Sequence, residues 1–163
     1  MHHKRSFRRK LQTFFLSLLL VLLTVAGVPS AAYTAEAASA DTTMAVHFLD
    51  VGQGLSILVQ SQGQNLLYDG GDRGHSSFVV SYLQKQNISI IDYMISSHYD
   101  KDHVAGLVGC LDSFSVKNVI GADYVQDTKI YQSFENSVAA QGLTVQHPEP
   151  GTDFTFGGGK FTV

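Results

Sequence analysis

The stretch from Ile90 to Gly106 constrains this chain more than any other. An apolar run, Ile90-Ile91-Asp92-Tyr93-Met94-Ile95, leads straight into Ser96-Ser97-His98-Tyr99-Asp100-Lys101-Asp102-His103, and Val104-Ala105-Gly106-Leu107-Val108 follows. The pattern predicts a buried strand, a polar loop and the start of a helix. Four side chains able to bind a metal, His98, Asp100, Asp102 and His103, fall within six positions. Imidazole nitrogen and carboxylate oxygen are donors that divalent ions such as zinc accept. If the loop is extended, alternation with Tyr99 and Lys101 points His98, Asp100 and Asp102 the same way and turns His103 elsewhere, which suits two neighbouring ions. Asp and His beside a helix start also serve as N-caps and surface polar groups. Their density at the end of a buried strand, where α/β folds place their sites, favours metal binding.

The flanking sequence supplies the rest of an α/β layer. Ala45 to Val51 and Leu55 to Gln60 read as strands from their β-branched and aromatic content. Gly52-Gln53-Gly54 between them is either a tight turn or a point of close backbone approach. Gln62-Gly63-Gln64 turns a hairpin into Asn65-Leu66-Leu67-Tyr68-Asp69. Asp69, followed by Gly70-Gly71, sits at a strand end, where a carboxylate can hydrogen-bond a metal loop and orient its ligands. His75 reads as a surface residue near a helix start. Ser76 to Gln86 is an amphipathic helix with Phe78, Val79, Tyr82 and Leu83 at helical spacing. Beyond the central stretch come a short helix over 104–111, a strand at Val116 to Ile120, a helix capped by Asp127 or Thr128 and ended by Gly142, a strand at 143–145, and a hairpin from Phe154 to Val163. His147, beside Pro148, reads as a loop residue. The order implies an α/β sandwich with a mixed sheet.

Three stretches taken together carry a family resemblance: Phe48-Leu49-Asp50-Val51-Gly52-Gln53-Gly54, Leu67-Tyr68-Asp69-Gly70-Gly71, and His98-x-Asp100-x-Asp102-His103. The last resembles the His-x-His-x-Asp-His motif of the metallo-β-lactamase superfamily, with Asp100 in place of the second His. This variant is similar to that of the metallo-β-lactamase-like domain of DNA-internalisation competence proteins. The resemblance covers about Met44 to Val163. It implies an αββα sandwich of which the chain holds the first half to two-thirds, because the later metal-binding motifs of the family find no match after His103. It implies two divalent ions, zinc or manganese. His98 and Asp100 would serve the first, Asp102 and His103 the second, and Asp102 would also orient the attacking water as the catalytic residue. Asp50, Gly52, Gly54, Asp69, Gly70 and Gly71 would form the wall around them, with Asp69 an organiser rather than a ligand. An oxygen donor at Asp100 favours manganese or magnesium more than an all-nitrogen site does.

The N-terminus predicts a destination. Lys4, Arg5, Arg8, Arg9 and Lys10 precede an apolar stretch from Leu11 to Val28, and Ala35-Glu36-Ala37 offers a small-residue cleavage site, the pattern of a secretory signal peptide over 1–37. The other reading is a retained membrane anchor, at the lower edge of spanning length. Either places the domain, after a short linker at 38–43, outside the cytoplasm. The single Cys110 fits as a small buried hydrophobe. Residues 1–37 hold five of the 11 Lys and Arg and one of the 14 Asp and Glu, leaving six basic and 13 acidic residues and a formal charge of −7. That excludes a broad nucleic-acid-coating surface, so an anionic substrate would be held at the metals.

The resemblance implies a secreted metal-dependent hydrolase of a phosphodiester, with DNA first, no protein partner, and a membrane only if the N-terminal segment is retained. The alternatives are hydrolysis of another ester, a lactone or an amide, or a non-catalytic secreted module of the same fold, which a chain ending at Val163 would favour.

Overall fold

Apolar residues at alternate positions of the strand segments give each strand two unlike faces, and pairing stacks these into rows. In the computed structural model, described here for residues 43–163, the strands are β1 (Met44–Phe48), β2 (Ile57–Ser61), β3 (Gln64–Tyr68), β4 (Ile90–Ser96), β5 (Ser115–Gly121) and β6 (Val145–Gln146), side by side in sequence order. The expected signal segment, its cleavage site at Ala37 and nearly all of the linker lie outside the described residues. β1, β2 and β3 form an antiparallel meander, and β3 to β6 run parallel. The Gln62-Gly63 turn has positive φ at both residues (47° and 78°), the conformation that joins twisted antiparallel strands without splaying them.

Parallel neighbours need crossovers, and three helices supply them: α1 (Ser76–Lys85), α2 (Lys101–Ser113) and α3 (Lys129–Ala140). Successive crossovers of one hand and one direction deposit their helices on one face. The row under them is His47–Leu58–Leu67–Met94–Val119–Val145. Leu58, Leu67, Met94 and Val119 are fully buried, and Val79 and Leu83 of α1, Leu107 and Cys110 of α2, and Phe134 and Val138 of α3 close over them in one core. Each such side chain contributes about 1.5–3 kcal/mol on burial. Burial pushes the Cys110 thiol up to about 12, as expected for a small buried hydrophobe.

The opposite face carries the row Phe48–Ile57–Tyr68–Ile95–Ile120. A hairpin of β7 (Asp153–Phe156) and β8 (Gly159–Thr162) packs there, with Phe154, Phe156 and Phe161 meeting Tyr93 edge-on at centroid distances of 5.9, 6.4 and 5.0 Å. Sheet, helical layer and hairpin give the mixed α/β architecture expected, one αβ layer of the sandwich.

Helix α2 begins at Lys101, three residues before the expected start at Val104. Its first turn is polar, so apolar periodicity becomes visible only from Val104. The consequence is geometric. Asp102 and His103 stand on the first helical turn rather than on an extended loop, and the every-second-residue alignment of His98, Asp100 and Asp102 does not apply. The third helix is capped by Thr128, whose Oγ1 accepts the Tyr131 N–H at 3.2 Å, and Asp127 does not share that role.

Candidate metal centre

The carboxyl ends of β3, β4 and β5 open on the same side, the position at which parallel sheets hold their sites. Asp69 follows β3. It is completely buried and its φ of 57° turns the carboxylate toward the loop after β4. Its Oδ1 accepts the Ser97 N–H at 2.8 Å, and its Oδ2 accepts the Ser97 hydroxyl at 2.6 Å and meets His103 Nδ1 at 2.8 Å. An ionised carboxylate only accepts, so that bond places a proton of His103 on Nδ1 and turns Nε2 away from Asp69. Ser97 Oγ also lies 2.9 Å from Nδ1 of His98, again turning Nε2 away. One buried carboxylate thus sets both imidazoles, His103 directly and His98 through a hydroxyl.

The two rings lie 3.9 Å apart, centroid to centroid. His98 Nε2 faces Asp100 Oδ2 at 3.6 Å, and His103 Nε2 faces Asp102 Oδ2 at 3.8 Å. These separations exceed a hydrogen bond. They approach the ~3.3 Å edge of a tetrahedron whose ligands sit about 2.0–2.1 Å from zinc. Asp100 occupies the N-cap position of α2 but makes no side-chain cap bond; its other oxygen accepts from Gln126 Nε2 at 3.1 Å. A carboxylate spent on capping would face the helix N–H groups, and this one does not. The chemistry of the donors fits divalent metal, with hard oxygen and imidazole nitrogen paired. Among the described residues no three His, Cys, Asp or Glu converge on one point, so the donors stand as two pairs.

Backbone contacts lock the loop. The Gly70 N–H bonds the His103 carbonyl at 2.8 Å, and the Gly106 N–H bonds the Gly71 carbonyl at 3.0 Å. A Cβ on Gly106 would overlap the Gly70 carbonyl oxygen, so two backbones touch here. Gly54 has φ of 113°, and a Cβ on it would overlap the Asp102 carbonyl oxygen, which makes Gly52-Gln53-Gly54 a point of close approach as well as a turn. Asp50 is drawn elsewhere: its exposed carboxylate accepts the Gly52 N–H at 3.2 Å and bonds none of the four donors. Below the loop Tyr99 is completely buried. Its hydroxyl donates to the Ala122 carbonyl at 2.8 Å, and its backbone N–H donates to the Tyr124 hydroxyl at 3.0 Å. Burial, then neighbouring Tyr131 and Glu135, hold the Tyr99 phenol well above its ordinary pKa.

Other residues fall outside the pairs. His75 Nδ1 meets Asp72 Oδ1 at 2.9 Å at the start of α1, and this partner holds Asp72 below the usual carboxylate range. His147 Nδ1 meets the Gly121 carbonyl at 3.1 Å on an exposed loop. Ser97 and Gln126 carry no signal of their own in the sequence; Ser97 could have been suspected only from its place beside His98.

A mixed α/β layer with imidazole–carboxylate pairs at the carboxyl ends of its parallel strands defines a class, that of hydrolase-like α/β folds. The metallo-beta-lactamase superfamily model matches residues 49–160, and the chain belongs to that superfamily. Members of this fold are typically hydrolases and usually bind divalent ions, commonly zinc. The chain is 39% identical over 77 residues to Recombination protein 2 of Haemophilus influenzae, covering 44% of this chain and 10% of the relative. It is 36% identical over 63 residues to Competence protein ComA of Neisseria gonorrhoeae, covering 38% and 9%. The chain thus spans about a tenth of the length of these curated relatives. Among solved structures, a metallo-beta-lactamase from Cronobacter sakazakii matches with a TM-score of 0.52 at 15% identity, over 69% of this chain and 48% of that one. That likeness shows the fold.

Proposed function

We propose that this chain carries the motif half of a metal-dependent phosphodiesterase acting on DNA. The observation that carries the reading is the setting of the two imidazoles: each has Nδ1 engaged, and each Nε2 faces a carboxylate at 3.6 or 3.8 Å. In this reading His98 and Asp100 hold one divalent ion, and Asp102 and His103 the other, zinc or manganese. Ions so held would supply a water acidic enough to attack near neutral pH and a polarised ester oxygen. The chain's own groups do the remaining work. Asp69 fixes the His103 tautomer and, through Ser97, the orientation of His98. Gln126 steadies Asp100. Asp102 would orient the attacking water. The choice of a phosphodiester is supported by the partial similarity to a recombination and a competence protein and by the oxygen donor Asp100.

The reading also places the domain outside the cytoplasm, supported by the cationic start and apolar run of residues 4–28. The test is metal content by mass spectrometry together with cleavage of a labelled oligonucleotide in manganese or zinc. Expected are bound divalent metal, chelator-sensitive cleavage, and a loss of about a hundredfold or more in Asp102→Ala with the fold intact. Undiminished metal-dependent cleavage in that variant refutes the assignment. Bound metal without cleavage refutes the substrate, and no bound metal supports a non-catalytic module.

A further inference from the structure

Beside the donor pairs lies a cleft of about 680 Å³, the size of a small-molecule site. Its wall brings together Arg73 from the loop after β3, Lys101 at the start of α2 and Lys129 at the start of α3. Residues 43–163 contain six cations in all, Arg73, Lys85, Lys101, Lys117, Lys129 and Lys160. Lys117 is paired with Asp92 and Lys160 with Asp153. The other four have no side-chain partner among the described residues, and three of those four line this one cleft. In a chain whose balance is acidic, that clustering is not a dispersed solvated surface.

The carboxylates on the same wall already have neighbours of their own. Asp72 is turned to His75, Asp100 to Gln126 and His98, and Asp102 to His103. Three unpaired cations remain to face the cleft, converging from segments 28 residues apart in sequence at each step (73, 101, 129). We infer that Arg73, Lys101 and Lys129 form a phosphate subsite next to the metal pairs, which binds the backbone of a single nucleic-acid strand on one side of the bond to be cut. The inference rests on the phosphodiesterase reading and narrows it: the substrate is a chain of phosphates, not an isolated ester, and the strand is gripped by a local cluster rather than by a basic face. Arg adds a bidentate fork for phosphate oxygens, and the lysines act as point charges.

The test is anisotropy of a fluorescein-labelled oligothymidylate with the full chain in chelator, across a salt series. Each neutralised phosphate of a single strand contributes about 0.7 to the salt slope. The triple variant Arg73→Gln, Lys101→Gln, Lys129→Gln should lose about 2 from that slope and about tenfold or more in affinity, while Lys85→Gln binds as the parent does. Unchanged slope and affinity in the triple variant, with circular dichroism showing it folded, overturns the subsite. So does an equal loss in Lys85→Gln, which would mean diffuse attraction. Inorganic phosphate should displace the strand only weakly; displacement at equal concentration would reduce the cleft to a simple anion site and also overturn it. Cleavage measured separately keeps the two ideas apart. A parent that never cleaves but loses binding in the triple variant retains the subsite and refutes the catalytic reading. A parent that cleaves, with KM unchanged in the triple variant, does the reverse.

Discussion

Two buried carboxylates stand near opposite ends of the parallel strands, and they are satisfied in different ways. Asp92, near the start of β4, is paired with Lys117 at 2.7 Å and accepts the Asn65 N–H at 2.9 Å. Asp69, just past the end of β3, has no lysine or arginine partner among the described residues; it accepts from the backbone and hydroxyl of Ser97 and meets His103. Lys117 is 56% exposed while Asp92 is 6% exposed, so half of that pair is already in water. Asp69 is wholly enclosed, and its partner His103 is 18% exposed. The first arrangement ties strands together and needs nothing further. The second spends a buried charge on fixing two imidazole rings, and that expense makes sense only if the orientation of those rings matters. The two carboxylates differ in what they hold, not in how buried they are.

The comparison is broken or sharpened most strongly at Asp69. Asp69→Ala should destabilise the fold by about 3–5 kcal/mol, because it strands two or three donors in a place water reaches poorly. Urea unfolding measures this directly. Alkylation of Cys110 gives a second view, since a thiol pushed up to about 12 by burial is inert near pH 8 until α2, the helix that carries it, opens. Asp92→Ala should cost less, about 1–2 kcal/mol, because Lys117 can turn to solvent and only the Asn65 N–H loses its partner. Equal costs at the two positions would show that burial alone sets their worth. The pH behaviour of Cys110 adds a sign. Its folded pKa is raised, so the protonated fold is favoured below the thiol's ordinary value, and stability falls as pH rises from there toward about 12. Cys110→Ala should flatten that alkaline limb in a pH series of urea midpoints.

Much of this was legible before the fold was known, for a physical reason. The four donors are near neighbours in the chain, and the strand before them and helix after them have clear apolar patterns, so motif, layer order and sheet type could be read locally. The supports could not. Ser97 meets Asp69 from 28 positions away, Gln126 meets Asp100 from 26, and Lys117 meets Asp92 from 25; no periodicity announces such pairs. The helix start was displaced because Lys101, Asp102 and His103 are polar, and a first turn facing a site need not show an apolar stripe. The cleft cations escaped for a related reason: taken singly, Arg73, Lys101 and Lys129 are ordinary surface residues, and only the crossovers bring them to one wall.

The smallest effects test the comparison most finely. Ser97→Ala removes the hydroxyl that bridges Asp69 and His98 but keeps the backbone bond to Oδ1, and should cost about 1 kcal/mol. Gln126→Ala touches an exposed bond to Asp100 and should leave stability within about 0.5 kcal/mol. If the carboxylates and their supports serve metal, both substitutions should nonetheless weaken manganese binding, by about tenfold or more where the ring or carboxylate is released. Calorimetric titration of each variant, set against its urea midpoint, separates the two roles. A loss of metal affinity that merely tracks the loss of stability would make these bonds parts of the scaffold. A loss at Gln126, where stability hardly moves, would show that the loop after β5 positions Asp100 for a bound ion.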